Sequence, residues 1–167
     1  MRAFDFLRVG SIRSQVELVV MLRTIDPKVL EVALRIVEIQ RAAYAIEADL
    51  IGFGGIPQLV ETEGEVRELG QMTWMGAFLD DLLVGLVAWE KNGDKVEIDR
   101  LAVDPAFARQ GFGRRLVQAV PSSGTTIVST GEENHPAVSL YLSEGFERTG
   151  SLEVAPTVMV AQFRRSN

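Results

Sequence analysis

The sequence predicts a single α/β (α+β) domain with a mixed β-sheet and helices on its faces. Strand-forming runs come in hairpins in the middle of the chain, with turn signals at Asp80-Asp81 and Asn92-Gly93. Strands and helices then alternate through residues 96–146. Early hairpins combined with late strand–helix units are typical of a mixed sheet covered by helices. No internal repeat or linker divides the chain, so we expect one domain over residues 15–167 and a loose N-terminal extension over residues 1–14.

Local sequence patterns predict the individual helices and strands. A β-rich run predicts the first strand over residues 16–22. Asp26-Pro27 is typical of a helix start, and it predicts an N-cap at Asp26 and a helix from 28 to about 50, which the run 52–57 ends. The remaining predictions are helices over 62–69, 111–120 and 136–144, and strands over 72–79, 82–90, 95–103, 125–130, 146–152 and 157–163.

Composition excludes several classes of function. The 167 residues include no cysteine and only one histidine, so the chain has no disulfide, no cysteine nucleophile, and no cluster suited to a transition metal. A net charge of −6 disfavours nucleic-acid binding and is compatible with a cationic acceptor, although such a charge also serves solubility. No apolar run is long enough to cross a bilayer, so we expect no membrane partner and a cytoplasmic location.

The run 109–113, Arg-Gln-Gly-Phe-Gly, joins a predicted strand to a predicted helix. Amides at a helix start have no intrahelical partners and lie at the positive end of the helix dipole, which suits a phosphate or pyrophosphate. Gly111 and Gly113 allow a ligand to approach the main chain closely. A Gly-x-Gly pattern by itself is also compatible with a plain helix cap. Leu116 stands where a dinucleotide-binding fingerprint has its third glycine.

Two segments of the chain contain motifs with fixed residue spacing. The run 100–116, Arg-Leu-Ala-Val-Asp-Pro-Ala-Phe-Ala-Arg-Gln-Gly-Phe-Gly-Arg-Arg-Leu, is similar to the acetyl-CoA signature of the GNAT superfamily of acetyltransferases. The run 134–146, Asn-His-Pro-Ala-Val-Ser-Leu-Tyr-Leu-Ser-Glu-Gly-Phe, resembles its second motif with every spacing kept. Ala108 departs from the signature, which has Gln or Arg at that position.

The resemblance implies a fold, a reaction and a co-substrate. The implied fold is the GNAT fold, a mostly antiparallel sheet of about seven strands that opens between its fourth and fifth strands. The implied reaction moves the acetyl group of acetyl-CoA directly to a primary amine in a ternary complex, with no metal. A non-catalytic module that binds or senses acyl-CoA is the alternative, to which Ala108 gives slight weight. Family members are often dimers, so a homodimer is among the expected assemblies.

The resemblance also assigns cofactor-binding residues. Backbone groups at the end of the fourth strand are expected to pair with the pantetheine arm, like an added strand. Amides of residues 110–114 are expected to hold the pyrophosphate. The predicted cofactor-binding residues are Leu101, Ala102, Val103, Arg109, Gln110, Gly111, Phe112, Gly113, Arg114 and Asn134.

Tyr141 and Glu97 are the predicted catalytic residues. A phenol at Tyr141 can protonate the thiolate that leaves when an amine attacks the thioester, although a core aromatic is the other interpretation. Glu97 matches the position of a glutamate base in one branch of the family. Asp99 follows two residues later and is expected on the same strand face. A solvated or ion-paired carboxylate, with a water chain as the base, remains an equal alternative for both.

Other residues have plainer interpretations. His135 is expected near a helix start, and Trp74 and Trp89 are expected to pack inside the domain. The run 52–57 is expected either to line the acceptor pocket or to be a simple connecting turn. No motif identifies the acceptor amine.

Overall fold

The computed structural model describes residues 20–166, which form one seven-stranded sheet with helices on both faces. The strand order is β1-β2-β3-β4-β5-β7-β6, and every neighbouring pair is antiparallel except β4–β5. The predicted fold class is thereby confirmed. The predicted extension over 1–14 and the first part of the predicted first strand lie outside the described residues. The elements are β1 (Val20–Thr24), α1 (Leu30–Ile51), α2 (Glu63–Glu68), β2 (Thr73–Leu79), β3 (Leu82–Asn92), β4 (Lys95–Val103), α3 (Phe112–Ala119), β5 (Thr125–Gly131), α4 (His135–Ser143), β6 (Glu147–Ala155) and β7 (Val158–Ser166).

The two parallel strands, β4 and β5, pair only at their beginnings. Residues 95–97 of β4 are in register with residues 125–127 of β5, and the pairing stops there. Residues 101–103 pair with β3 on one side and have no strand partner on the side of β5. The sheet therefore opens into a gap between its fourth and fifth strands, as the resemblance implies.

A β-bulge at Asp99 lies beside this gap. Ala88 of β3 pairs with Arg100, and Trp89 pairs with Ile98, which leaves Asp99 as the extra residue on β4. Glu97 and Asp99 are both exposed, with buried Ile98 between them, so burial still alternates across the bulge. That the two carboxylates share one strand face stays a prediction.

Two apolar clusters cover the two faces of the sheet. On one face α1 packs through residues such as Ile36 and Ile39 against Trp74, and on the other face α3 packs through residues such as Leu116. Trp74 and Trp89 are 1% and 5% exposed, which confirms their packing role. The helices thus fix the position of β4, and with it one wall of the gap, from both sides.

The start of α1 differs from the prediction, and its end agrees with it. Val29 is the N-cap and offers no side-chain cap, whereas Asp26 Oδ1 accepts a hydrogen bond from Lys28 N at 2.9 Å. Asp26 therefore caps the turn before the helix, and the predicted N-cap at Asp26 is wrong. Gly52 ends α1 in the left-handed conformation, with φ of 65°, which glycine adopts without strain.

Candidate active site

Two adjoining cavities lie where the sheet opens. The first, which we call the groove, has a volume of about 730 Å³ and runs between α1, the end of β4 and the starts of α3 and α4. The second, which we call the inner cavity, has a volume of about 400 Å³ and lies between β4, β5, α1 and the β6–β7 hairpin. The residues that line both are Tyr44, Glu47, Leu101, Asn134 and Ala137. A ligand in the groove can therefore meet a ligand in the inner cavity beside these residues.

The groove brings together nine of the ten predicted cofactor-binding residues. Gln110, the tenth, is exposed and does not line it. The unpaired edge of β4 at residues 101–103 forms part of its wall. The other predicted residues along it are Arg109, Gly111, Phe112, Gly113, Arg114 and Asn134.

The backbone at the start of α3 forms one end of the groove. Gly111 is the N-cap of α3 with φ of 82°, a left-handed conformation that suits glycine, and no side chain caps the helix. The first amides of α3, at residues 112–114, consequently have no intrahelical partner. Arg109, just before them, is also left-handed, with φ of 62°. An anion at this end of the groove can accept hydrogen bonds from the uncapped amides.

The arginines near this helix start differ in their availability. Arg114 Nε lies 3.0 Å from Glu144 Oε1, so its charge is already paired. Within residues 20–166, Arg109 and Arg115 form no ion pair, and both are exposed. Ala108 lines the groove without a polar side-chain group. Of the two arginines that line the groove, Arg109 is therefore the one without an ion-pair partner among residues 20–166.

The run after α1 forms one wall of the inner cavity. Phe53, Gly55, Ile56 and Pro57 all line it, so the segment is more than a connecting turn. The β6–β7 hairpin forms an apolar wall through Val154, Val158 and Val160. The polar groups of the inner cavity lie between these walls, on α1, β4, β5 and α4.

Tyr141 has the properties of a core aromatic and of a cavity residue at once. Its side chain is 4% exposed, and its ring packs against Phe146 and Phe163 at centroid distances of 5.6 and 5.9 Å. Its hydroxyl has no hydrogen-bond partner among residues 20–166, and the residue lines the inner cavity. Burial, with smaller effects of Tyr44 and Glu47, raises the pKa of Tyr141. The phenol is therefore protonated at neutral pH and available as a donor.

The two strand carboxylates occupy different environments. Glu97 is exposed, lies 3.4 Å from Lys95 Nζ, and lines neither cavity. Asp99 lines the inner cavity, and its Oδ2 accepts a hydrogen bond from Arg100 Nε at 2.7 Å. The structure therefore brings Tyr141 and Asp99 to one cavity and leaves Glu97 outside it.

A buried polar network centred on Arg100 supports the inner cavity. Arg100 is 6% exposed, and its Nη1 donates to Glu61 Oε2 at 2.7 Å and to Gln40 Oε1 at 3.0 Å. Desolvation lowers the pKa of Arg100, but the carboxylates of Asp99 and Glu61 outweigh it and raise that pKa. Arg100 is therefore a permanent cation that fixes the Asp99 side chain. Sequence analysis missed this network; its one signal was Gln40, a polar residue on the apolar side of α1.

Tyr44 and Glu47 are the other functional candidates that sequence analysis missed. They lie one turn apart on α1, and both line the groove and the inner cavity. Glu47 Oε1 accepts hydrogen bonds from Gly131 N at 3.2 Å and from Thr130 Oγ1 at 3.3 Å. Their spacing of three residues could have placed them on one helix face. Which face of α1 turns toward the gap depends on the packing of the folded chain.

Asn134 joins this cluster from the start of α4. Its Nδ2 donates to Thr130 Oγ1, and its Oδ1 accepts from Ala137 N, both at 3.3 Å. It therefore caps α4 while lining both cavities. His135 is the first residue of α4, where the sequence places it.

A family model that describes an acetyltransferase (GNAT) domain matches residues 71–148. The match extends from the start of β2 to the start of β6, and it includes the groove-forming loop and Tyr141. This stretch of the chain is therefore a GNAT acetyltransferase domain, as the resemblance implies.

Of two curated relatives of this chain, one is named as an acetyltransferase. The chain is 33% identical over 147 residues to the UPF0157 protein YqkA of Bacillus subtilis, covering 86% of this chain and 43% of that protein. It is 31% identical over 84 residues to the N-alpha-acetyltransferase RimI of Mycobacterium tuberculosis, covering 46% of this chain and 53% of that protein. The chain therefore spans about half or less of the length of these relatives.

Solved structures share the GNAT fold with this chain. PaiA N-acetyltransferase from Thermoplasma acidophilum, in complex with coenzyme A, superposes with a TM-score of 0.71 at 14% identity, covering 89% of this chain and 99% of that one. The ribosomal-protein-S18-alanine N-acetyltransferase of Escherichia coli superposes with a TM-score of 0.71 at 16% identity, covering 89% and 94%. At such identities the likeness establishes the fold alone.

Two structural features are absent from residues 20–166. Within residues 20–166, no group of three or more His, Cys, Asp or Glu side chains is arranged to hold a metal ion. No helix in the same range is long and apolar enough to cross a membrane.

Proposed function

We propose that this chain is an N-acetyltransferase that moves the acetyl group of acetyl-CoA directly to a primary amine. The observation that carries the proposal is the meeting of the two cavities at the gap between β4 and β5. The groove has an uncapped helix start for an anion at one end, and the adjoining inner cavity holds a protonated phenol. Both parts are needed for acetyl transfer from a phosphate-bearing thioester.

The groove fits acetyl-CoA through its backbone. The pantetheine arm would pair with the free edge of residues 101–103, as an added strand does. The pyrophosphate would accept hydrogen bonds from the amides of 110–114, beside Arg109. The acetyl end would then lie near the residues shared by both cavities, within reach of an amine in the inner cavity.

Tyr141 is the proposed general acid. As the amine nitrogen forms its bond to the acetyl carbon, the carbon–sulfur bond breaks and the sulfur takes a proton from the phenol. The raised pKa keeps that proton in place until the thiolate forms. For the base, the predicted role of Glu97 stays a prediction. Because Glu97 lines neither cavity, it would have to act through a water chain.

The alternative, a module that binds or senses acyl-CoA without turnover, has weaker support. Ala108 removes one side chain from the cofactor motif, but the backbone features of the groove remain. Binding alone gives no role to an inner cavity lined by Tyr141. RimI of M. tuberculosis and the S18-alanine enzyme of E. coli are named as N-acetyltransferases, which supports an amine acceptor.

A thiol-release assay tests the proposal. Acetyl-CoA is supplied with a panel of alkylamines, amino acids, polyamines, aminoglycosides, and peptides bearing a free N-terminus or lysine. We expect turnover with one class of amine, and we expect Tyr141→Phe to lower kcat about 100-fold, the lower range of general-acid contributions. The affinity of the variant for acetyl-CoA, measured by calorimetry, should stay near that of the wild type.

Two outcomes would count against these assignments. Unchanged kcat in Tyr141→Phe would show that the phenol is not the acid. Acetyl-CoA binding without turnover of any amine on the panel would favour the binding module.

A further inference from the structure

We infer that Glu47 binds the ammonium group of the acceptor where the two cavities meet, and takes its proton as transfer proceeds. The inference rests on the proposed N-acetyltransferase function and adds a group that the sequence did not indicate. It also narrows the acceptor to an amine that is cationic at neutral pH, such as an alkylamine or a lysine side chain.

The position of Glu47 is the first argument. It is the only carboxylate among residues 20–166 that lines both the groove and the inner cavity. The acetyl end of a cofactor in the groove and an amine in the inner cavity must approach each other at these shared residues. A carboxylate there can contact the attacking nitrogen.

Charge balance is the second argument. Asp99, the other carboxylate of the inner cavity, is paired with Arg100 at 2.7 Å. Glu47 forms no ion pair with a Lys, Arg or His side chain of the described chain. Its Oε1 accepts two neutral hydrogen bonds, while Oε2 accepts none from residues 20–166. A cation that enters the inner cavity therefore meets, in Glu47, a carboxylate that has no cationic partner among residues 20–166.

The third argument is that Glu47 is held in place. The hydrogen bonds from Gly131 N and Thr130 Oγ1 fix its carboxylate against the end of β5. A Cβ at Gly131 would lie 2.5 Å from Ile51 Cγ2, so this glycine allows α1 to pack closely there. A carboxylate fixed by its neighbours loses little freedom when an ammonium binds.

Other charged and titratable groups face Glu47 across the cavity. Tyr44 and Tyr141 both have pKa values raised first by burial and further by Glu47, so both phenols stay neutral. Arg100 lies in the same wall, and its one positive charge is shared by two carboxylates, Asp99 and Glu61. Of the carboxylates that line the inner cavity, Glu47 is thus the one without a cationic partner among residues 20–166.

The protons balance if Glu47 and Tyr141 act together. The bound ammonium gives one proton to Glu47, which later releases it to solvent. The free amine then attacks the acetyl carbon, and the sulfur leaves with the proton of Tyr141. The nitrogen loses its second proton as the amide forms, and that proton restores the Tyr141 phenol.

The test uses Glu47→Gln in the full chain, with an alkylamine and hydroxylamine as probes. The glutamine oxygen can still accept from Gly131 N and Thr130 Oγ1, while the charge is removed. We expect kcat/KM for the alkylamine, cationic near neutral pH, to fall about 100-fold. For hydroxylamine, which is uncharged near neutral pH, the fall in kcat/KM should be much smaller. Coenzyme A affinity and the melting temperature should stay near wild-type values.

The pH dependence separates this role from a structural one. If the variant can use only free amine, its kcat/KM for the alkylamine should rise about tenfold per pH unit toward the pKa of the amine. The kcat/KM of the wild type for the alkylamine should rise less steeply with pH. Asp49→Asn is the matched control, since it removes an exposed carboxylate from the same helix that lines neither cavity. Glu97→Gln, run in parallel, tests the base predicted from the resemblance.

Each outcome decides a different claim. If the wild type acetylates the alkylamine and Glu47→Gln keeps its kcat/KM, the Glu47 inference is overturned and the proposed function stands. If Glu47→Gln lowers kcat/KM equally for the alkylamine and for hydroxylamine, Glu47 has a structural role instead. A wild-type chain that turns over neither probe nor any amine of the panel overturns the proposed function, and the Glu47 inference with it.

Discussion

Asp104 joins helix α1 to the segment that leads into the groove. Its Oδ2 lies 2.6 Å from Arg35 Nη2, and its Oδ1 accepts a hydrogen bond from Ala106 N at 3.0 Å. Arg35 Nε also donates to Leu83 O at 3.0 Å, so one arginine links α1 to two neighbouring strands. Desolvation favours the protonated form of Asp104, but the Ala106 amide and Arg35 outweigh it and lower the pKa of this carboxyl.

Asp104→Asn should therefore destabilise the chain in a pH-dependent way. The lowered pKa makes this ion pair stabilising above the unfolded-state pKa of about 3.9, and the benefit disappears as pH falls through the folded-state value. We expect a loss of about 1–2 kcal/mol in the free energy of unfolding at neutral pH, since the pair is mostly buried. Urea unfolding of the wild type and the variant at neutral and acid pH measures this loss in the free energy of unfolding. An equal loss at both pH values would mean that packing, not charge, is responsible.

The candidate site residues differ in how far the sequence indicates them. Tyr141 stands out because its motif has fixed spacing over one short helix. Glu47 and Arg100 do not, because their positions depend on contacts with groups far away in the chain, such as Gly131 and Glu61. The sequence shows that a residue in a helix or strand is polar, but it does not show which distant group that residue will contact.

At the scale of elements, the loop before α3 combines two left-handed residues with an uncapped helix start. Arg109 and Gly111 have φ of 62° and 82°. Their conformations direct the chain so that the first amides of α3 lie at the end of the groove. If the proposed anion site is made from these backbone amides, it does not need the side chain that Ala108 lacks.

Gly111→Asp should weaken acetyl-CoA binding through charge. Asp tolerates a left-handed conformation better than most residues, and a Cβ at this position meets nothing within 4 Å. Gly111→Asn is the matched control, with nearly the same shape and no charge. We expect the Asp variant to bind acetyl-CoA at least about tenfold more weakly than the Asn variant, or about 1.4 kcal/mol. The difference in acetyl-CoA affinity between the two variants should become smaller at high salt.

Calorimetric titration of both variants gives the comparison. If the Asp and Asn variants bind acetyl-CoA equally well, the phosphates do not lie at this helix start.

Element boundaries were predicted best where the chain has strong turn signals. The limits of β4 agree with the prediction, because Asn92-Gly93 and Asp104-Pro105 bracket it. The N-cap of α1 was wrong because Asp26 and Pro27 can serve either a helix or the turn before it. The bulge at Asp99 has no glycine or proline to reveal it, since it follows from the pairing of β3 with β4.

At the scale of the whole molecule, the sheet consists of two parts. Strands β1–β4 carry α1, α2 and α3, while β5, β7 and β6 carry α4. Between the parts, strand pairing is limited to residues 95–97 and 125–127, and Glu47 connects α1 to the end of β5. The sequence predicted the class of the sheet and its seven strands, but the place of the opening came from the family resemblance. No local pattern tells where two parallel strands separate.

Binding of coenzyme A should change hydrogen exchange along β4 unevenly. Amides within 101–103 that face the gap should exchange more slowly when the ligand pairs with them, whereas amides of 95–97, already paired with β5, should change little. At a free ligand concentration of about 100 times the Kd, the chain should gain about 2.7 kcal/mol of stability. Exchange measured by mass spectrometry, with and without coenzyme A, tests this. Equal protection of both segments, or none at 101–103, would contradict the added-strand arrangement.

The short pairing between β4 and β5 also sets the length of the β4 edge that has no strand partner. From Ile98 to Val103 the edge of β4 is free, and at about 3.3 Å per residue this edge measures about 20 Å. Each further residue of pairing would shorten it by about 3.3 Å. An extended ligand that pairs with this edge can therefore run for at most about 20 Å along β4.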